Sequence, residues 1–315
     1  MNTLQITLFG LVSVVHPQAN GPLKLTRSTQ AFFAYLLLQQ SPVSRDVLMD
    51  VFWQDHAPDR ARSSLTTALW RLRHLLEPEG VTPGTYIATS YMGEVGFNWE
   101  SGHFLDTESF EQHIYPLLRK PIADLTSSDI EEIEQVLTLY TGDLLEGMYE
   151  DWALRERERF RSLHLNCLTR LMECYASRKN FERSIALARE ILGRDPVRED
   201  IHRALMRIYS ECGQRTLAMR QYVQCRDLLS QELGVLPLDE TIALYNQIVA
   251  SSHTDRGEVT EQPQSHEIAQ LLDELRLIRH SLVETARALD RINKTVTGLI
   301  GVGDLSAGSA GERRR

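Results

Sequence analysis

Four leucines recur along residues 60–76 at the spacing of one helix face. Leu65, Leu69, Leu72 and Leu76 fall at positions i, i+4, i+7 and i+11, so they line one side of a helix. No acid occurs from residue 60 to residue 74, and the four arginines give this stretch a local charge of +4. We therefore predict a helix that is docked by its leucines and presents a basic face outward.

The outward face has the side chains of a DNA-reading helix. Arginine forms hydrogen bonds with guanine edges and with phosphates, and serine and threonine hydroxyls can bind either. The predicted contact set adds Arg45, at the start of the preceding helix, to the outward and flanking residues Arg60, Arg62, Ser63, Thr66, Thr67, Trp70, Arg71, Arg73 and His74. Taken alone, such a helix is more often a solvated arginine-rich surface, and its surroundings decide between the two interpretations.

The neighbouring patterns predict a winged helix-turn-helix. Residues 3–15 alternate apolar and polar and predict a strand, and residues 30–40 predict a first helix. Ser44 caps a second helix with Val47 and Leu48 inward, and Asp59 is the expected N-cap of the leucine-striped helix. Two short strands at residues 86–90 and 94–99, joined at Gly93, complete the order of that fold.

The middle of the chain contains a repeat. Leu171-Met172-x-x-Tyr175 recurs 34 residues later as Leu205-Met206-x-x-Tyr209, which is the period of tetratricopeptide helix pairs. Such pairs cannot bury their faces alone, so residues 130–140 and 152–168 are expected to complete the stack. Alternating arginines and glutamates at residues 155–161 predict a solvated ion-pair face, with a partner-binding surface as the lesser alternative.

A heptad pattern begins at residue 268. Nine of the ten a and d positions between residues 268 and 299 are apolar, which is typical of a coiled coil. The predicted oligomerisation contacts are Ile268, Leu271, Leu275, Ile278, Leu282, Leu289 and Ile292. The alternative is an amphipathic helix that packs back on the body of the protein.

Charge and cysteine content change this picture little. The net charge is −9, but four of the seven basic residues within residues 1–100 lie in the leucine-striped helix, so the location of charge matters more than its sum. The four cysteines lie in helical patterns without metal-ligand spacing and are expected to be reduced core thiols. No signal peptide or membrane span is apparent, which predicts a cytoplasmic protein without a membrane partner.

Separated motifs extend across roughly residues 1–250. They include Val43-Ser44-Arg45-Asp46-x-Leu48, Arg71-Leu72-Arg73-x-Leu75-Leu76, Phe104-Leu105-Asp106-Thr107-x-x-Phe110, Leu139-Tyr140-x-Gly142-Asp143-Leu144-Leu145-x-Gly147, Asp195-Pro196-x-Arg198-Glu199 and Leu233-Gly234-Val235-x-Pro237. These motifs resemble those of SARP-type (antibiotic-regulatory) transcriptional activators, and coincidence over many separated motifs is more specific than any one of them. The resemblance implies an OmpR-like winged helix followed by a helical bacterial transcriptional activator domain. It also implies double-stranded DNA and RNA polymerase, through its sigma or alpha subunit, as partners.

Together these patterns predict a mainly α protein. Its parts are a winged helix-turn-helix with three helices and small β-sheets (1–100), a tetratricopeptide-like activator domain (101–250), a linker (251–265), a coiled-coil helix that forms a homo-oligomer (266–300) and a disordered tail (301–315).

Three functional classes compete. The leading hypothesis is a transcription activator that binds repeated promoter half-sites. The second is a protein–protein scaffold with a degenerate winged helix, favoured by the lack of any lysine or arginine between Arg73 and Arg119, which leaves the wing without a cation. The third is an enzyme, but no catalytic, metal-binding or cofactor-binding constellation is found, so we expect no cofactor and no catalytic residue.

Overall fold

The computed structural model describes residues 3–250. The predicted linker, coiled coil and tail lie outside the described residues. The first part of the chain contains three helices and five strands: β1 (Leu4–Thr7), β2 (Ser13–Val15), α1 (Arg27–Leu38), α2 (Arg45–Trp53), α3 (Pro58–Leu76), β3 (Ile87–Thr89), β4 (Val95–Phe97) and β5 (His103–Leu105).

The strands form two small sheets. β1 lies between β2, its antiparallel neighbour, and β5, which runs parallel to it, and β3 pairs with β4 as an antiparallel hairpin. The hairpin around Gly93 confirms the predicted wing. The single strand predicted over residues 3–15 is wrong, because the chain turns at Gly10, where φ is +79°, and comes back as β2.

Helices α1, α2 and α3 have the predicted order with corrected ends. Ser44 caps α2, with its hydroxyl accepting from the amide of Val47. Asp59 is not the cap of α3, because the helix begins two residues earlier than predicted: Ala57 is the N-cap and Pro58 occupies the first helical position, where its fixed φ suits the helix. Val47 was predicted to face inward but is 44% exposed, and Leu48 alone of α2 is fully buried.

The rest of the described chain is helical. It contains α4 (Asp106–Arg119), a short 3-10 helix (Ile122–Asp124), α5 (Ser127–Leu137), α6 (Asp151–Ser177), α7 (Phe181–Arg194), α8 (Glu199–Glu211), α9 (Arg215–Glu232) and α10 (Asp239–Ala250). Helices α6 and α7 pack as one pair and α8 and α9 as the next, which confirms the tetratricopeptide-like repeat. The predicted segment 152–168 is not a separate helix, since α6 continues unbroken through Ser177.

One hydrophobic core joins the winged helix to helices α4, α5 and α6. Phe9, just after β1, packs against the rings of Phe110, Tyr140 and Phe160 at centroid distances of 5.4, 4.8 and 5.4 Å. A second core lies among α6–α10 and includes Met172. The boundary at residue 100 therefore separates two parts of the chain that share one core.

Backbone hydrogen bonds reinforce this junction. The buried carboxylate of Asp106, at the start of α4, accepts from the amides of Leu8 at 2.8 and 2.9 Å and of Phe9 at 2.9 Å. Burial raises the pKa of Asp106, and the amides that it accepts from oppose that shift. On the other side, the amide of Leu145 donates to the Leu8 carbonyl oxygen at 2.9 Å. The segment 8–10 is thus clamped between residues 106 and 143–146.

The predicted solvated ion-pair face at residues 155–161 is only partly present: Arg159 pairs with Glu156 and with Glu111, but two of the other arginines bind backbone carbonyl oxygens instead. Arg157 donates to the carbonyl oxygens of Leu144, Leu145 and Met148, and Arg161 donates to the carbonyl oxygen of Arg194 at 2.7 Å. These guanidiniums bind the carbonyl-rich loop before α6 and the end of α7. Sequence alternation does not reveal such backbone acceptors, because they come from distant parts of the chain.

Candidate nucleic-acid interface

Helix α3 has one buried and one exposed face. Leu65, Leu69, Leu72 and Leu76 are buried, as the stripe predicts, together with Ala61. Eight residues of the predicted DNA-contact set are exposed along the opposite face or its edges: Arg60, Arg62, Ser63, Thr66, Thr67, Trp70, Arg71 and His74. Because the leucines dock the helix, its exposed ridge keeps one orientation relative to the core.

The polar groups of this ridge are arranged by the helix itself. Thr66 and Thr67 donate to the carbonyl oxygens of Arg62 and Ser63, both at 2.9 Å, so their oxygens face outward as acceptors. Trp70 is 64% exposed and stacks on His74, with the rings 5.3 Å apart and 6° from parallel. A large exposed aromatic pair beside arginines adds a flat apolar surface to a basic ridge.

Grooves flank the ridge on both sides. One, of about 390 Å³, lies between α1, α2 and α3 and is lined by Arg60, Ser63, Thr67 and Arg71 together with Ser28 and Thr29 of α1. The other, of about 380 Å³, lies towards the wing and is lined by Arg45, Thr66, Trp70, Arg73 and His74 among others. Each groove therefore exposes arginines beside hydroxyl or aromatic groups.

Sequence reasoning did not include Ser28 and Thr29. The first helix was predicted to begin at residue 30, whereas α1 begins at Arg27 with Thr26 as its cap. The signal that could have found them is the run Thr26-Arg27-Ser28-Thr29, in which a capping threonine precedes the helical pattern.

Arg45 and Arg73 differ from the other eight predicted residues, because both donate hydrogen bonds to the wing. Arg45 Nε donates to the carbonyl oxygen of Gly93 at 3.2 Å. Arg73, which is half-buried, donates through Nη2 to Thr89 Oγ1 at 2.7 Å and to the Ile87 carbonyl oxygen at 3.4 Å. The wing tip is exposed and contains no lysine or arginine: Tyr91 is 99% and Met92 71% accessible.

His164 and Cys167 of α6 are both buried, at 3% and 0% exposure. Burial lowers the pKa of His164 to about 4 and raises that of Cys167 to about 12. These shifts favour the neutral forms of both groups, whereas a catalytic pair needs a thiolate beside an imidazolium.

Within residues 3–250, no group of three or more His, Cys, Asp or Glu side chains is arranged to hold a metal ion. No helix in the same range is long and apolar enough to cross a membrane.

Comparisons with known proteins agree with this architecture. Residues 105–249 match the family "Bacterial transcriptional activator domain". The chain is 24% identical over 232 residues to the regulatory protein AfsR of Streptomyces coelicolor, covering 73% of this chain and 23% of AfsR. It is 26% identical over 250 residues to the transcriptional regulatory protein MoaR1 of Mycobacterium tuberculosis, covering 73% of this chain and 77% of MoaR1.

A solved structure shares the fold. Mycobacterium tuberculosis EmbR, determined in complex with a low-affinity phosphopeptide, superposes with a TM-score of 0.68 at 19% identity, covering 80% of this chain and 66% of that chain. The chain thus spans about a quarter of AfsR and two thirds of EmbR. These matches confirm the resemblance to SARP-type activators and the mainly helical fold of a winged helix joined to tetratricopeptide-like helices.

Proposed function

We propose that this SARP-type regulator, with its bacterial transcriptional activator domain at residues 105–249, is a sequence-specific DNA-binding protein that activates transcription. The observation that carries the proposal is helix α3, whose leucines fix it to the core while its arginines and hydroxyls face outward. The names of the relatives favour a regulator over a protein–protein scaffold. A role on chromosomal DNA places the protein in the cytoplasm.

Helix α3 is the proposed reader of the major groove. Base recognition needs rigidly held donors and acceptors, and phosphate contacts set the register of the helix. Arg71 and Thr67 lie near the middle of the exposed ridge and beside the same groove, so we assign base contacts to them. Arg60 and Arg62 lie near the first turn of α3, where phosphate contacts are expected.

Substitution of the proposed reading residues tests this assignment. Arg71→Ala and Thr67→Ala should each weaken specific DNA binding by about 1–3 kcal/mol, because each removes a base contact, while the fold stays intact. The measurement is a gel shift on genomic duplexes recovered with the wild-type protein, with circular dichroism as the check of folding.

Arg207→Ala is the matched control, since Arg207 is an exposed arginine of α8, outside the winged helix. It should bind like the wild type. Unchanged affinity of both α3 variants for the wild-type site would overturn the assignment of α3 as the reader. Failure of the wild-type protein to select any duplex would instead favour the scaffold.

RNA polymerase is the proposed partner of the helical domain. The match of residues 105–249 to an activator domain supports a contact with the transcription machinery, and we assign it to the sigma or alpha subunit. A pull-down of purified polymerase holoenzyme with the full chain, repeated with each isolated subunit, tests which subunit is bound.

Binding to repeated half-sites requires that the protein assemble. The wing has no cation, so a single winged helix neutralises few phosphates and should bind weakly, and linked copies raise the local concentration on a repeated site. We assign assembly to the heptads of residues 266–300, which lie outside the described residues.

A charge in the heptad seam tests assembly. Leu282→Asp places a carboxylate at an a position, and the full chain should change from an oligomer to a monomer in light scattering, with loss of apparent DNA affinity. Glu284→Asp, at a c position outside the seam, is the control and should remain oligomeric. A wild-type monomer would contradict the oligomer.

A further inference from the structure

Glu77, at the C-terminal end of α3, binds the backbone of the wing. Its Oε1 accepts from the amides of Tyr86 at 2.8 Å and Ile87 at 3.0 Å, and its Oε2 accepts from the amide of Gly84 at 3.0 Å. A carboxylate that takes three amides in a part-buried position forms strong, charge-assisted hydrogen bonds. The start of β3 is therefore attached directly to the end of the helix.

Arg73 makes the second attachment, one helical turn earlier. Residues 73 and 77 are four apart and so lie on the same side of α3. Arg73 donates to Thr89 Oγ1 at 2.7 Å and to the Ile87 carbonyl oxygen at 3.4 Å. Glu77 thus binds the amide of Ile87 and Arg73 its carbonyl oxygen.

The other edge of the wing is held by the segment around the start of α2. Val43 and Val95 exchange backbone hydrogen bonds of 2.8 and 2.9 Å, and Arg45 donates to the carbonyl oxygen of Gly93. A hairpin of two three-residue strands is not stable by itself, so these attachments supply its rigidity.

We propose that Arg73 and Glu77 are positioning residues that lock the wing to the reading helix, and that Arg73 is not a phosphate contact. The two side chains make the helix and wing one rigid body, so the exposed tip at Tyr91 and Met92 keeps a fixed place relative to the ridge of α3. The consequence for DNA rests on the proposed function, whereas the attachment itself does not.

Hydrogen exchange of the full chain without DNA tests the attachment. Glu77→Gln should raise the exchange rates of the Gly84, Tyr86 and Ile87 amides, and Glu77→Ala should raise them by about tenfold or more, because hydrogen bonds to a charged acceptor are lost. Glu79→Ala is the matched control: this glutamate is exposed, two residues away, and should leave the wing amides unchanged. Equal wing exchange in Glu77→Ala and Glu79→Ala would overturn the proposal.

The direction in which DNA affinity changes gives a second test. Glu77 lines a groove beside the proposed DNA face and Glu79 lies two residues further along the chain, so removal of either negative charge should, by electrostatics alone, tighten binding. Positioning instead requires that Glu77→Ala bind the selected duplex several-fold more weakly, while Glu79→Ala binds as well as the wild type or better. Tighter binding by both variants would overturn a positioning role for Glu77.

The salt dependence of binding tests Arg73. Loss of one phosphate contact reduces the magnitude of the negative slope of log K against log salt by about 0.9, as we expect for Arg60→Ala. Arg73→Ala should weaken binding and raise wing exchange with its slope unchanged. A slope whose magnitude falls by about 0.9 would make Arg73 a phosphate contact and overturn its positioning role. If the wild type selects no duplex, the proposed function fails and the exchange experiment still decides the attachment.

Discussion

Asp106→Ala should lower the free energy of unfolding by about 3–5 kcal/mol, because it leaves several buried backbone amides without an acceptor. The carboxylate is 1% exposed and accepts from the amides of Leu8, Phe9 and Thr107 at 2.8–2.9 Å. Each unsatisfied buried amide costs about 1–3 kcal/mol. Urea denaturation followed by circular dichroism measures the change.

Two further variants sharpen this experiment. Asp106→Asn keeps one carbonyl oxygen and should lie between the wild type and the alanine variant. Asp55→Ala removes a carboxylate from the exposed turn after α2 and should change stability by less than about 0.5 kcal/mol. If Asp106→Ala is as stable as Asp55→Ala, the clamp on segment 8–10 does not hold the two parts of the chain together.

Leu69→Ala should destabilise the protein by about 2–5 kcal/mol, since a buried leucine in a packed core leaves a cavity when truncated. The adjacent Trp70 points to the opposite, exposed face, so Trp70→Ala should have little effect on stability. Thermal denaturation of the two variants beside the wild type is the measurement. Equal melting temperatures for Leu69→Ala and the wild type would mean that the helix is docked by another face.

Local periodicity predicted what depends on local contacts. The leucine stripe of α3 gave its buried face, Gly93 marked the turn of the wing, and the 34-residue repeat gave the helix pairs α6/α7 and α8/α9. Each of these signals comes from residues that lie close together along the chain. These signals do not depend on contacts with distant parts of the chain.

The features that were missed depend on distant residues. Strand β5 pairs with β1 across about a hundred residues, and Thr141 Oγ1 donates to the Phe9 carbonyl oxygen across 132 residues. No period in the sequence records such pairings. In the sequence Asp106 is part of a family motif, and its role as an acceptor for segment 8–10 follows from the fold alone.

The same limit applies to the candidate interface. On a helical wheel Arg73 flanks the outward face just as Arg62 does, and the two differ because the wing lies beside Arg73. Arg45 is exposed at the start of α2 and differs from a free arginine because Gly93 lies within reach. Residue type and spacing therefore predicted the candidate interface but did not separate the proposed reading residues from the proposed bracing residues.

The clamp on residues 8–10 determines when the first strand can complete its folding during translation. Leu8 and Gly10 take hydrogen bonds from the amides of residues 145 and 146, which the ribosome makes some 136 residues later. At about 5–20 residues per second, the first strand waits roughly seven to twenty-seven seconds for these partners. Helix α3 is synthesised well before the aromatic rings that cover Phe9, so a nascent chain cannot complete the core beneath the winged helix until translation has passed Phe160 in α6.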